Sequence, residues 1–150
     1  MTNFIRTDSS DQHFIELVRL LDADLAIRDG DDHAFYAQFN KIQNIPHVIV
    51  AFEDKVAIAC GALKPYDNTT LEVKRMYTLP AHRGKGIAAQ LLGHLETWAT
   101  ELGYHRCILE TGFKQPEAIA LYTKCAYRRI PNYGQYSGID NSACFEKKLF

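Results

Sequence analysis

A chain of 150 residues with 47% apolar and 23% charged residues has the size and composition of one globular domain, 1–150. Its net charge of −1 supplies no field that would recruit nucleic acid. No apolar run approaches the roughly 18 residues of a membrane helix, and the N-terminal MTNFIRTDSSDQ has no apolar signal core, so the cytoplasm is the expected location. The cysteines Cys60, Cys107, Cys125 and Cys144 form no C-x-x-C, and the six histidines are dispersed, so no metal site is expected.

In chain order, Asn3 to Arg6 reads as a short strand. Asp8-Ser9-Ser10-Asp11 is a cluster of capping residues. Phe14, Leu17, Val18, Leu21 and Leu25 then recur at helical spacing and predict about three turns, broken by Asp29 to Asp32. A second helix is expected from Ala34 through Phe39, ending near Asn40 to Asn44. His47 to Phe52 and Val56 to Leu63 read as strands joined by the turn Glu53 to Lys55. Leu71 to Leu79 is a third, and strict alternation would put Glu72, Lys74, Met76 and Thr78 on one face, Leu71, Val73, Arg75 and Tyr77 on the other. Ile87, Leu91, Leu92, Leu95, Trp98, Ala99 and Leu102 form a helical stripe stopped by Gly103. A strand at Cys107 to Thr111, a helix at Glu117 to Cys125 and late strands near Tyr127 to Ile130 and Ser142 to Leu149 complete an α/β or α+β layer structure without linker or repeat.

The most informative segment joins the third strand to the long helix through His82-Arg83-Gly84-Lys85-Gly86-Ile87-Ala88. Glycines let backbone approach an anion closely, the free N–H groups of a helix start point at it, and Arg83 and Lys85 add positive charge. Gly84 to Ala89 also satisfies G-x-G-x-x-A. A dinucleotide fold opens on that motif, however, and here about half the chain precedes it. A phosphate loop of the form G-x-x-x-x-G-K-[ST] is absent.

The spacing Arg-x-x-Gly-x-Ala over Arg83 to Ala88 resembles the acetyl-CoA pyrophosphate loop of the GCN5-related N-acetyltransferases. Ala118 to Tyr127 is similar to that family's A-x-x-L-Y-x-K-x-G-[FY] helix, with Ala126 where glycine is commoner. Cys60-Gly61-Ala62-Leu63 and Leu71 to Thr78 resemble its preceding strands. The resemblance covers nearly the whole chain. It implies a mixed, mostly antiparallel central sheet of six or seven strands flanked by about four helices, splayed between the strand before the glycine turn and the next strand. Several strings, including Leu109-Glu110-Thr111-Gly112, point to small bacterial members whose acceptor is poorly defined.

The activity implied by the resemblance is that of an acyltransferase moving an acetyl group from acetyl-CoA to a primary amine, by direct attack in a ternary complex. The expected acceptor is a small molecule; a protein N-terminus or lysine, or a non-enzymatic acyl-CoA-binding module, are the alternatives. Tyr122 is expected as the acid that protonates the departing thiolate and Glu72 as the base that assists the amine, directly or through water. Each has a competing structural role, as a core aromatic and as a partner of Lys74. Acetyl-CoA is expected on Met76, Tyr77 and Thr78 through main chain, on Arg83, Gly84, Lys85, Gly86, Ile87 and Ala88, and on Tyr122. Gln115, which stands where the family often has asparagine, is also expected on acetyl-CoA, through its pantetheine. Tyr127, Tyr133 and Tyr136, with Arg128, Arg129, Arg75 and Lys64, would suit a small acceptor bearing a carboxylate. Neither a nucleic acid nor a membrane is an expected partner, and a homodimer is compatible with the chain.

Overall fold

Residues 1–37 and 44–150 are described by a computed structural model. The strands β1 (Thr2–Thr7), β2 (His47–Glu53), β3 (Val56–Pro65), β4 (Thr70–Thr78), β5 (Arg106–Gly112), β6 (Arg128–Ile130) and β7 (Ser142–Lys148) form one sheet in the order β1-β2-β3-β4-β5-β7-β6. Every pairing is antiparallel except β4 with β5. Helices α1 (Gln12–Asp29) and α2 (His33–Ala37) lie toward one face, α3 (Ile87–Glu101) and α4 (Pro116–Lys124) toward the other. The expected continuation of α2 through Gln38 and Phe39 to Asn40 lies outside the described residues.

The two covered faces explain why β2 reads as an unbroken apolar run. Val48 and Val50 pack with Phe14, Leu17 and Val18 of α1, while Ile49 and Ala51 pack with Leu91, Leu92 and Leu95 of α3. The three α3 leucines are wholly buried, each contributing about 1.5–3 kcal/mol. Asp11 starts α1, its Oδ1 accepting from the backbone N–H of His13 at 2.8 Å and Phe14 at 3.2 Å. α1 runs five turns, not the three its apolar stripe predicts, because the stripe marks only where the helix meets the sheet. Its last turns pass the sheet and carry Asp24, Arg28 and Asp29 over the open end of β4.

Two departures in β4 create the site. It pairs with β5 only from Thr70 to Glu72, opposite Arg106 to Ile108, and beyond that the strands diverge. A bulge also interrupts its pairing with β3. Ala62 faces Lys74 and Cys60 faces Tyr77, so Arg75 and Met76 together oppose Gly61, with Arg75 at φ 60°. The extra residue reverses the alternation expected from sequence. Arg75 turns to the α1 side with Glu72 and Lys74, and Met76 joins Leu71 and Val73 on the α3 side. Gly61 makes room for this, since a Cβ there would lie 2.6 Å from Met76 Sδ and 2.7 Å from Leu91 Cδ2.

Candidate active site

The glycine turn hangs from the end of β4. The Leu79 N–H donates to Ile58 O at 2.8 Å, and a single 3-10 turn, Pro80–His82, leads into Arg83. Gly84 and Gly86 both stand at φ 79°, where a side chain would be strained, and Gly86 caps α3. Gln90 N–H to Gly86 O, at 3.1 Å, is the first bond of the helix. The N–H groups of Ile87, Ala88 and Ala89 therefore have no intrahelical acceptor. Arg83 Nε donates to Thr78 O at 2.8 Å, and its guanidinium lies 5.5 Å from the centre of the Tyr77 ring. These residues line a cavity of about 410 Å³ that continues along Met76, Tyr77 and Thr78 to α4. Ten of the eleven residues expected to meet acetyl-CoA stand on its wall; the other, Lys85, is exposed beside it.

A second cavity, of about 120 Å³, occupies the gap where β4 and β5 part. The two share Leu21, Met76, Gln115, Ala118 and Tyr122 as a common wall. Tyr122 reaches that wall from α4 because of how the helix ends. Ala126 adopts φ 73°, Tyr127 N–H bonds Tyr122 O at 3.0 Å and Ala126 N–H bonds Thr123 O at 3.2 Å. The paired aromatic contact of that cap is Tyr122 on Tyr127, with ring centres 5.9 Å apart. Burial, and then the nearby Glu110 carboxylate, push the Tyr122 phenol above its ordinary range, so it stays protonated.

The smaller cavity concentrates charge. Glu72 is buried on its wall and accepts a 2.7 Å hydrogen bond from the Tyr133 hydroxyl. Lys74 follows, its pKa lowered by burial against the opposing pull of Glu72. Arg75 is 5% exposed, and its guanidinium is ion-paired with Asp22 of α1 while Nε has no hydrogen-bond partner among the described residues. Across the gap, Glu110 stands on β5 two residues past the last pairing with β4. Its Oε2 is closed off from solvent and also has no partner among the described residues. Burial pushes the Glu110 carboxyl up to about 7, helped by Glu72 and Asp29 and opposed by a Ser142 hydrogen bond and by Lys74. The Ser142 hydroxyl in turn lies 2.9 Å from the Tyr36 hydroxyl. Because a carboxylate only accepts, the consistent proton order is Tyr36 to Ser142 to Glu110.

Some expected acceptor residues stand elsewhere. Tyr136 lines the small cavity and Tyr133 holds Glu72. Tyr127 belongs instead to the α3 face, donating to Glu96 at 3.0 Å; Arg128 pairs with Glu146, and Arg129 stacks on Phe113 and Phe145. Lys64 is exposed opposite Glu72 in the β3–β4 ladder and is not among the residues that line the cavity. Glu110 was missed although its signal was present: one carboxylate inside the buried strand Cys107 to Gly112 is costly unless it serves or is paired, the same argument that singled out Glu72. The thiol nearest Tyr122 in sequence, Cys125, is pushed up by burial and is a poor nucleophile. Among the described residues, no three His, Cys, Asp or Glu side chains are grouped to hold a metal, and no helix is long and apolar enough to cross a membrane.

Comparison with known proteins agrees with this geometry. Residues 14–127 match the model of the acetyltransferase (GNAT) family. The chain is 36% identical over 101 residues to the uncharacterized N-acetyltransferase YsnE of Bacillus subtilis, covering 66% of this chain and 67% of YsnE. It is 34% identical over 102 residues to the IAA acetyltransferase of Azospirillum brasilense, covering 67% of each. Over 85 residues it is 38% identical to the uncharacterized YjgM of Escherichia coli; there it spans only half of the relative's length. A crystal structure of an acyl-CoA N-acyltransferase candidate from Klebsiella pneumoniae superposes with a TM-score of 0.84 and 29% identity, over 100% of this chain and 99% of that one.

Proposed function

The chain belongs to the acetyltransferase (GNAT) family, a family of acyltransferases that use acetyl-CoA, and from that premise we propose that it acetylates a primary amine carried by a small molecule. The observation that carries the reading is the wall shared by the two cavities. A thioester lying along β4 from the glycine turn would end at Met76, Gln115 and Tyr122, where the larger cavity meets the smaller one.

In this reading acetyl-CoA supplies the activated acetyl group. The turn from Arg83 to Ala88 holds its pyrophosphate on unpaired N–H groups and a fixed guanidinium. The main chain of Met76 to Thr78, on the edge that β5 leaves unpaired, holds the pantetheine amides as an added strand would. The amine enters the small cavity. Glu110 takes its proton, with one oxygen steadied by Ser142 and the other unengaged by protein. Glu72, engaged by Tyr133, shapes the field on Lys74 and the amine. The amine nitrogen bonds to the acetyl carbon as the carbon–sulfur bond breaks; the leaving sulfur takes the Tyr122 proton, and the second proton that the nitrogen sheds on becoming an amide returns to the Tyr122 oxygen. A cavity of about 120 Å³ favours a small acceptor over a protein chain. Thiol release from acetyl-CoA, measured with amino acids, polyamines, aminoglycosides and a peptide array, tests the reading. Turnover of free amines is expected, and turnover of peptides alone would reverse it.

A further inference from the structure

Within the small-amine reading, on which this inference rests, the charges around the acceptor cavity narrow the substrate class. Two polar atoms among the described residues that line it are buried without a partner, and they have opposite character. One is Arg75 Nε, on a guanidinium whose side chain is 2% exposed; the other is Glu110 Oε2. Both atoms are closed off as the side chains stand, but the residues that carry them line the cavity, so each side chain has unused bonding capacity for a ligand of opposite charge once it turns toward that space. They come from the two strands that part to form the cavity, the bulge of β4 and the free end of β5.

The bulge itself argues the same way. Arg75 is a non-glycine residue at φ 60°, a conformation that side chains disfavour. It brings a guanidinium into the cavity wall where regular alternation would send it into the α3 core. The Asp22 carboxylate that engages Arg75 has a half-exposed side chain on the α1 side, leaving the Nε edge of the planar fork. The size agrees as well. A cavity of about 150 Å³ holds a ring of six carbons, so about 120 Å³ holds a molecule of five or six heavy atoms. An ammonium, one carbon and a carboxylate fill it, and any side chain must point to the mouth.

We propose that the acceptor is a free α-amino acid, seated with its carboxylate on Arg75 and its ammonium on Glu110. A peptide N-terminus, a polyamine or a lysine side chain offers an ammonium without a carboxylate on the same carbon.

The test is thiol release with acetyl-CoA and a matched series of alanine, alaninamide, alanyl-alanine and isopropylamine. Wild-type kcat/KM should be higher for alanine than for the three others by about 10–100-fold, the scale of one charged hydrogen-bonded contact. Arg75→Gln should bring the ratio of alanine to alaninamide to about one, and Arg75→Lys should retain part of it. If Arg75→Gln does not fold, the wild-type series still decides. Wild-type enzyme that handles alaninamide or isopropylamine as well as alanine overturns the amino-acid assignment and leaves small-amine acetylation standing. Turnover of alanyl-alanine and longer peptides alone overturns both.

Discussion

At the residue scale, Glu110 carries opposite consequences for activity and for stability. Burial pushes its carboxyl up to about 7 in the fold, against an ordinary value of about 4.3. The folded protein therefore holds this proton more tightly than the unfolded chain, and stability from this group, full below about pH 4, declines as pH rises toward 7 and beyond. The groups that set this are Glu72 and Lys74 on β4, Asp29 on α1 and Ser142 on β7; the charge of Glu110 acts in return on Tyr36, Tyr122 and Tyr136. Glu110→Gln should abolish the acid limb near pH 7 in kcat/KM and lower the rate by roughly 10²–10⁴. Its melting temperature relative to wild type should climb between pH 5 and 8. A variant that keeps the acid limb would assign the proton to another group. Tyr122→Phe separates acid from core in a similar way. As the acid, its loss should cut kcat by roughly 10²–10⁴ with acetyl-CoA affinity little changed; as mere packing, it should move the melting temperature and cost less than about tenfold.

At the element scale, the end of α4 stands in a conformation that its sequence disfavours. The left-handed position of the cap is Ala126, where a Cβ costs about 1–2 kcal/mol. The cap is nonetheless fully formed, held by the Tyr127 and Ala126 N–H bonds and by the Tyr122–Tyr127 contact. Ala126→Gly should relieve the strain while giving back some unfolded-state entropy, for a net gain of about 0.5–1 kcal/mol, read as a rise of a few degrees in a thermal melt. Turnover should stay within about twofold, because the tyrosine pair remains. A fall in stability would mean that the alanine methyl is held by packing.

At the scale of the whole molecule, the site is a gap held open and roofed. Gly61 lets α3 close on the sheet while Met76 is displaced by the bulge, and Leu95 Cδ1 would lie 2.9 Å from an added Cβ. Gly61→Ala should therefore cost about 1–3 kcal/mol through overpacking. Because Met76 lines both cavities, the same change should raise KM for acetyl-CoA. A melt and a saturation curve on that variant check both effects, and unchanged values in both would mean the side chains repack freely. The far turns of α1 form the roof, tied to α4 by Arg28 with Glu117 and to the preceding loop by Lys114 Nζ on Asp29 O at 3.1 Å.

The sequence by itself determined the order of elements, the glycine turn and the helix that carries Tyr122, because caps, periodicities and glycine spacing are local and act within a few residues. Seven strands and the β4–β5 divergence agree with the architecture that its motifs implied. Glu72 was legible as a buried carboxylate on a strand; Glu110 was equally legible by that criterion, yet only the parting of β4 from β5 makes it face the same cavity. The bulge at Arg75 and Met76 was not legible, since it depends on what Gly61 allows across the ladder and on α3 beyond it. One inserted residue reverses every side chain after it, so the faces of β4, and with them the charges that meet the acceptor, are decided by tertiary pairing and not by alternation along the chain.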